Sequence, residues 1–464
     1  MNFRFQVQNL AVAVSSIFFC VACQPLVFKD SDLPCQVPEL APVNVDNSAP
    51  LKVSVNVDGS GSMYGYVKDN SNTRYIETLK LIDTVLHVGK SSRSPEPTIE
   101  FYRVGETQTQ SISSNQYQQA RTGDFYTGLN DNFPKVSSHL DVAIVKPEEE
   151  EQLLILVTDL DQEGKDLNRL NKAIQTTYLN QAQEGQAVAV LGIKSEYNHT
   201  VYTIDKDVYP DFSYDTTGKD PEAYRPFYVV FIGPYQDITH YYEKMQNKNP
   251  ELINAGEFSV FNPDALVKQI ATLQNFPSKL PQDIFRPSSL QSNKVAVEVK
   301  SPPYDLLEIH SKIAEQNPKI DYTAPLSLLP HTPDLDPQSI ATETEVFTYD
   351  PNAEKFIPAA NSSIEKMINL NSWNLTDNQL QFTNTLDLKS FPSPGIYLLK
   401  VNAIAEKLSD ESWWQEWDRI SRTSDADGSK TYNLLNFMQN LKVTTTDLIE
   451  QPAIGHFCFA IQKN

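Results

Sequence analysis

The residues whose types and spacing could do chemistry form one short turn, Asp58-Gly59-Ser60-Gly61-Ser62. One carboxylate and two hydroxyls stand at alternate positions, so that their side chains can point to one spot. Oxygen atoms of this kind are the ligands that a hard cation such as Mg²⁺ prefers. The two intervening glycines allow the backbone to turn tightly beneath a bound ion. The turn therefore predicts a site for Mg²⁺, or for Mn²⁺ or Ca²⁺, held by Asp58, Ser60 and Ser62.

Regular elements must hold this turn in place. Residues 51–57 alternate apolar and polar side chains, which is the period of a strand, and residues 75–86 carry apolar side chains at helical spacing. Apolar runs at 153–157, 187–193 and 227–232 are typical of strands buried on both faces. Alternation of strands and helices predicts an α/β fold for residues 51–262, with a Rossmann-like, mostly parallel sheet flanked by helices. The turn would then lie at the carboxyl ends of the strands, where such sheets bind ligands.

The turn resembles the Asp-x-Ser-x-Ser motif of the metal-ion-dependent adhesion site in von Willebrand factor A (vWA) domains. The resemblance covers residues 51 to about 262, less than half of the chain. It implies a vWA-like fold for this region and a cation that captures a protein ligand. Because two of the ligands are neutral hydroxyls, the ion would keep much of its charge and attract an Asp or Glu carboxylate of the partner.

Two further elements follow the vWA pattern. The run at 153–157 continues into Thr158-Asp159, as does the strand that ends in a metal-proximal aspartate in that family, which implies that Asp159 acts through a water. Residues 138–144 resemble the family's Thr-x-Leu-x-x-Ala-Leu segment, with Ser138 in place of the threonine. Thr127 is the alternative for this third element of the metal site.

The first residues predict export. Leu10 to Ala22 form an apolar stretch of the length of a signal-peptide core, so residues 1–22 are interpreted as a signal peptide. Cys20-Val21-Ala22-Cys23 resembles the lipobox of bacterial lipoproteins, which implies acylation of Cys23 and a membrane attachment through that lipid. Cleavage without a lipid and a retained anchor are the alternatives. Residues 23–50 have no helical period and are interpreted as a tether.

Cys35 and Cys458 remain after Cys20 and Cys23 are set aside, and the chain contains four cysteines. In an oxidising compartment this even remainder predicts a disulfide, and two unpaired apolar cysteines are the alternative.

The remainder of the chain has a different texture. Prolines punctuate residues 263–289, which predicts a connector. Short strand-like runs separated by Pro, Asn and Asp predict a mainly β domain over residues 290–464, with one helix near 410–421. Three tryptophans in that helix, Trp413, Trp414 and Trp417, predict packing on the β domain, and a stacking platform is the alternative.

The net charge of −21 argues against nucleic acid, because a phosphate backbone is bound by lysine and arginine. Sequence signatures of hydrolases and of phosphate-binding loops are missing, so the chain is predicted not to be an enzyme. The combined prediction is a cell-envelope protein that binds a protein ligand through a divalent cation, in adhesion or envelope assembly. A hydrolase that uses the same cation to activate water, and a structural envelope protein with a vestigial metal site, are the alternatives.

Overall fold

The computed structural model describes residues 25–464, except for short segments spread along the chain. These segments are residues 39–47, 70–71, 89–90, 138, 146–150, 162–163, 181–184, 203–210, 293–294, 300–303, 311–316, 360–363, 392–393, 420–426 and 450–451. The predicted signal peptide, the predicted acylation site Cys23 and the candidate ligand Ser138 therefore lie outside the described residues.

Strands are the main element of the described chain. In chain order they are β1 (Leu26–Phe28), β2 (Leu51–Asp58), β3 (Thr98–Val104), β4 (Thr109–Ile112), β5 (Glu151–Thr158), β6 (Gln186–Ser195), β7 (Asn198–Val201), β8 (Phe212–Asp215), β9 (Arg225–Pro234), β10 (Glu257–Phe261), β11 (Val267–Gln269), β12 (Ile284–Phe285), β13 (Leu290–Gln291), β14 (Val295–Val297), β15 (Tyr304–Ile309), β16 (Lys319–Pro325), β17 (Ser327–Leu328), β18 (Ile340–Asp350), β19 (Lys355–Pro358), β20 (Ile368–Thr376), β21 (Gln379–Leu386), β22 (Gly395–Ala405), β23 (Asp418–Arg419), β24 (Thr431–Tyr432) and β25 (Ala453–Lys463).

Helices are fewer and mostly short. In chain order the α-helices are α1 (Arg74–His87), α2 (Ser114–Tyr117), α3 (Asp124–Thr127), α4 (Gly164–Ile174), α5 (Tyr235–Lys248), α6 (Pro250–Asn254), α7 (Ser412–Glu416) and α8 (Leu434–Leu448). A six-residue 3₁₀ helix, Gly61–Tyr66, directly follows the predicted metal-binding turn.

A seven-stranded sheet carries the turn, and its spatial order is β10-β6-β9-β5-β2-β3-β4. β2 is parallel to both of its neighbours, β3 and β5. The other four pairings are antiparallel, namely β3 with β4, β5 with β9, β9 with β6, and β6 with β10. β2, β3, β5 and β6 therefore run in one direction, and β4, β9 and β10 run in the other.

The predicted fold class is wrong. The chain is mostly β, with 40% strand and 26% helix, and its strands form many small separate sheets instead of a Rossmann-like, mostly parallel core. The physical reason lies in the apolar runs, which report that a strand is buried on both faces but carry no information about its direction. The run at 227–232 belongs to β9, which is antiparallel to both of its neighbours.

Alternate residues of the central strands are buried on opposite faces of the sheet. Leu153, Ile155 and Val157 of β5 pack in the core that contains α1 and α5, whereas Leu154 and Leu156 pack in the core that contains α4 and α8. β2 differs, because three of its polar residues, Ser54, Asn56 and Asp58, are buried as well. Because both faces of the central strands are buried, β2 is held firmly in the sheet. The turn at the end of β2 is held in position with it.

The three tryptophans near 410–421 are buried, but they do not pack on the C-terminal strands as predicted. They share a core with β6, β9 and α8 on the seven-stranded sheet. Trp414 donates a hydrogen bond from Nε1 to Oγ of Ser259 in β10, at 3.1 Å. A chain segment far from the turn in sequence therefore covers one face of the sheet that carries it.

The C-terminal strands form a second core between two sheets. A six-stranded sheet has the order β12-β15-β25-β22-β18-β19, and a three-stranded sheet has the order β16-β21-β20. Their apolar faces meet in one cluster that includes Tyr322, Phe382, Phe457 and Phe459. On the other face of the larger sheet, β1 pairs with β14, and a smaller cluster surrounds a disulfide between Cys35 and Cys458.

Candidate functional site

Asp58 is the last residue of β2 and is buried between the two neighbouring parallel strands. Its Oδ1 accepts a hydrogen bond from the backbone N–H of Ser60 at 2.8 Å. Its Oδ2 accepts one from the hydroxyl of Thr158, the last residue of β5, at 2.8 Å. Both carboxylate oxygens are thereby fixed at the carboxyl ends of two adjacent strands, facing the turn.

The hydroxyls of Ser60 and Ser62 lie next to each other. Their Oγ atoms are 3.1 Å apart. Two adjacent ligands of an octahedral Mg²⁺, each at 2.0–2.1 Å from the ion, are about 2.9 Å apart. The two hydroxyls therefore have the spacing of neighbouring ligands on one hard cation, although a direct hydrogen bond between them explains the same distance.

Thr127, the alternative third element, ends helix α3, which lies against the 3₁₀ helix Gly61–Tyr66. Its Oγ1 is buried and has no hydrogen-bond partner among the described residues. An unsatisfied buried hydroxyl costs about 1–3 kcal/mol, so this oxygen has reason to accept an additional ligand such as a water or a cation. Ser138 lies outside the described residues, so Thr127 is the one of the two alternatives whose position can be described.

Asp159 follows β5 directly and is almost fully buried. Its Oδ2 is 3.3 Å from Nη2 of Arg225, and the same nitrogen is 2.8 Å from Oδ2 of Asp161. Burial raises the pKa of Asp159 to about 6; Arg225 acts in the opposite direction, and the nearby Asp161 and Asp58 add to the rise. The predicted metal-proximal aspartate is therefore already part of an ion pair.

Arg225 is a residue of the candidate site that the sequence analysis missed. It is the first residue of β9, and its guanidinium is buried. Because β9 is antiparallel to β5, the start of β9 lies at the same edge of the sheet as the end of β5. The predicted parallel direction would have placed this residue at the opposite edge, far from Asp159. Arg225 was missed because the direction of β9 was predicted wrongly.

A second arginine lies beneath the turn. Arg103 of β3 is buried, and its Nη2 donates to the carbonyl oxygens of Gly59 at 3.1 Å and Pro134 at 2.9 Å. Burial lowers the pKa of Arg103. Arg419 lies beyond Asp161, with Nη2 3.4 Å from Oδ2 of that residue.

The charges around the turn are balanced. The carboxylates of Asp58, Asp159 and Asp161 and the guanidinium groups of Arg103, Arg225 and Arg419 are equal in number. No excess of negative charge among these six residues attracts a cation. The oxygen ligands of the turn fit a hard divalent ion in type and spacing. Because the six charged residues have no net charge, the turn would attract such an ion only through its hydroxyl and carboxylate oxygens at short range.

A polar cavity of about 350 Å³ lies at the far end of the 3₁₀ helix that follows the turn. The 3₁₀ helix after the turn forms one wall, with Gly65 and Tyr66, and the residues around strands β7 and β8 form another, with Glu196 and Tyr197. The hydroxyl of Tyr197 donates to the carbonyl oxygen of Ser62 at 3.2 Å. The cavity wall and the candidate cation site are thus joined by one hydrogen bond.

A different set of potential metal ligands lies in the smaller core. Sγ of Cys35, Nε2 or Nδ1 of His456 and Sγ of Cys458 all lie within 4.8 Å of one another. A disulfide joins the two cysteines, whose Cα atoms are 6.2 Å apart.

No protein-family model, curated protein or solved structure matches the chain. Within the described residues, no helix combines the length and the apolar composition needed to cross a membrane.

Proposed function

We propose that the turn of Asp58, Ser60 and Ser62 binds a divalent cation, Mg²⁺ in the first place or else Mn²⁺ or Ca²⁺, and through it an Asp or Glu carboxylate of a protein ligand. The function would be adhesion or envelope assembly. The proposal rests on the resemblance of the turn to the adhesion-site motif of vWA domains and on the local geometry. It does not rest on the fold, because the predicted fold class is wrong.

The observation that carries the proposal is the distance of 3.1 Å between the hydroxyls of Ser60 and Ser62, beside the fixed carboxylate of Asp58. The buried, unpartnered hydroxyl of Thr127 supports it as a further oxygen donor. A bound ion would supply an open coordination position that attracts an anionic oxygen. Asp58 and the hydroxyls would hold the ion, and Arg225 would keep Asp159 from competing with the carboxylate of the partner.

The balanced charges favour one second candidate, a structural protein whose turn no longer binds a cation. In that case the hydrogen bond between Ser60 and Ser62 and the ion pair between Asp159 and Arg225 are simply parts of a stable sheet edge. The two candidates differ in one measurable property, which is affinity for a divalent cation. The prediction that the chain is not an enzyme remains a prediction.

Isothermal titration with Mg²⁺ and Mn²⁺ tests the cation site. We expect one ion per chain for the wild type and no detectable binding for Ser60→Ala/Ser62→Ala. The control is Ser390→Ala, because Ser390 is likewise a serine near an aspartate, and its hydroxyl donates to Asp387 at 2.7 Å. Binding should be unchanged in that variant. A wild type that binds neither ion would reject the proposal in favour of the structural candidate.

Capture of a partner is tested separately. Immobilised chain is incubated with envelope extract in Mg²⁺ or in EDTA, and the retained proteins are compared. We expect at least one protein that is retained only in Mg²⁺ and is lost with Asp58→Asn. Retention that is unaffected by both EDTA and Asp58→Asn would contradict a metal-dependent adhesion function even if the cation binds.

We also propose that the chain is exported and anchored through a lipid on Cys23. The lipobox-like residues before Cys23 support this, and so does the disulfide, because disulfides persist in oxidising compartments. Mass spectrometry of the mature N-terminus should find an acylated Cys23, and Cys23→Ser should move the protein from the membrane fraction to the soluble fraction. An N-terminus that begins elsewhere would exclude the lipid anchor.

A further inference from the structure

The geometry around Cys35, His456 and Cys458 points to a second function for the disulfide. We propose that reduction of this bond converts the three residues into a binding site for a soft divalent cation, Zn²⁺. The site is independent of the turn at Asp58. It lies in the smaller core on the C-terminal sheet, and all three side chains are buried.

The histidine is oriented as a metal ligand. Nδ1 of His456 is 2.8 Å from Oδ1 of Asn402, its direct partner on the neighbouring strand β22. An amide oxygen only accepts hydrogen bonds, so the tautomer that fits this neighbour has the proton on Nδ1 and the lone pair on Nε2. Nε2 lies 3.3 Å from Sγ of Cys35. A ligating histidine characteristically donates its other N–H to such an oxygen, which fixes the ring for the metal.

The two cysteines supply the remaining ligands from different parts of the chain. His456 and Cys458 are two residues apart on β25, so their side chains share one face of the strand. Cys35 approaches from the N-terminal segment, and its backbone N–H donates to the hydroxyl of Tyr304 at 2.9 Å. Two thiolates on a tetrahedral Zn²⁺, with Zn–S bonds of about 2.3 Å, lie about 3.8 Å apart. A Cα separation of 6.2 Å accommodates that spacing by rotation of the side chains.

A dithiol is the reductant in the proposed reaction. Two electrons and two protons from the dithiol break the S–S bond and give two thiols, while the dithiol becomes a cyclic disulfide. Zn²⁺ then displaces one proton from each thiol and binds two thiolates and the neutral imidazole, with a water or an external thiol as fourth ligand. Thiolate and imidazole donors select Zn²⁺ over Mg²⁺ or Ca²⁺.

The proposed site would keep the N-terminal segment attached to β25 in both the oxidised and the reduced chain. The described part of the N-terminal segment is attached to the C-terminal core by the pairing of β1 with β14 and by the bridge from Cys35. When the disulfide is reduced, the described segment loses its covalent attachment and keeps the short strand, its apolar contacts and the hydrogen bond from Cys35 to Tyr304. A metal bound by the same residues would keep residue 35 attached to β25.

Cobalt binding tests the proposal on the full chain. The background is Cys20→Ser/Cys23→Ser, which leaves Cys35 and Cys458 as the only two cysteines. The chain is reduced with a phosphine, which does not add thiols, and is titrated with Co²⁺. We expect one Co²⁺ per chain with a thiolate-to-cobalt charge-transfer band that Zn²⁺ removes, and we expect no band before reduction.

Two variants separate this site from adventitious thiol binding. His456→Gln removes one ligand and should weaken Co²⁺ binding at least tenfold, while Asn402→Ala leaves all three ligands and should weaken it by about 10- to 100-fold. Circular dichroism confirms that each reduced chain is folded. A reduced, folded chain without the band, equal affinity in Asn402→Ala, or unfolding of the reduced chain in the presence of Co²⁺ would each overturn the proposal. Because the band reports sulfur ligands only, its absence leaves the proposed site at Asp58 untouched.

Discussion

Replacing Arg225 with methionine would remove the guanidinium group that two neighbouring buried carboxylates share. The guanidinium of Arg225 is almost fully buried, and its Nη2 contacts Asp159 at 3.3 Å and Asp161 at 2.8 Å. Methionine has a similar length and fills most of the same space, so the change removes charge more than volume. Arg419 stays near Asp161 at 3.4 Å, which leaves Asp159 as the carboxylate that loses its partner.

The expected cost follows from the burial of the pair. Removal of one partner of a buried ion pair destabilises a protein by about 3–5 kcal/mol, because the remaining charge is neither solvated nor paired. We expect a loss in this range at pH 7.5, measured as the free energy of unfolding in urea by tryptophan fluorescence. The control is Arg121→Met, because Arg121 pairs with Asp83 near the surface, with both side chains about a fifth exposed. That variant should lose about 1 kcal/mol or less.

The pH dependence identifies the cause. In the wild type, burial raises the pKa of Asp159 from 3.8 to about 6, so the folded state takes up this proton first and gains stability as the pH falls through that range. Loss of Arg225 raises the pKa of Asp159 further. At pH 5 Asp159 of the variant is therefore neutral, and a neutral carboxyl is less destabilising when it is buried. The loss in free energy of unfolding relative to the wild type should be smaller at pH 5 than at pH 7.5. A loss below about 1 kcal/mol, or an equal loss at both pH values, would refute this reasoning.

Three further substitutions test the packing. Cys35→Ser breaks the disulfide and should cost about 2–5 kcal/mol in thermal unfolding without reductant; equal melting temperatures would show that the bridge does not stabilise the chain. Trp414→Ala should cost about 3–5 kcal/mol in urea, because it empties a fully buried position and removes the hydrogen bond to Ser259; a small loss would mean that the segment does not pack on the sheet. Gly65→Ala places a methyl group against the ring of Tyr197 and 2.7 Å from Cβ of His199, and should cost about 1–3 kcal/mol; an unchanged stability would show that the segment of Tyr197 and β7 moves freely.

The positions of the central strands could be predicted from the sequence. The alternating run at 51–57 lies in β2, and the apolar runs at 153–157, 187–193 and 227–232 lie in β5, β6 and β9. Strand direction could not be predicted in this way, because direction depends on the path of the connecting segments. The described residues of the connection between β6 and β9 contain the antiparallel pair β7 and β8 instead of a crossover helix, and β9 returns antiparallel.

The packing of distant chain segments on the seven-stranded sheet could not be predicted from the sequence either. Trp413, Trp414 and Trp417 form a compact apolar group that predicts burial, and they are buried. The sheet surface on which they pack belongs to residues more than 150 positions earlier, including Ser259, which Trp414 contacts. An apolar group specifies that it needs a partner but not which one, so the second face of the seven-stranded sheet could not be assigned to α7 and α8.

The pairing of Asp159 with Arg225 changes what the turn can do with a cation. A carboxylate near a bound ion lowers its net charge, and the ion then attracts an anionic ligand less strongly. Arg225 pairs with both Asp159 and Asp161 through one nitrogen, and Arg419 supplies the second positive charge at Asp161. Asp58 is then the one carboxylate that the sheet directs at the turn, with both oxygens fixed by hydrogen bonds. The same arginine that stabilises this edge of the sheet therefore weakens the attraction for a cation and strengthens the pull of any bound cation on a carboxylate of the partner. Stability and adhesion would depend on one buried side chain, which the direction of β9 places there.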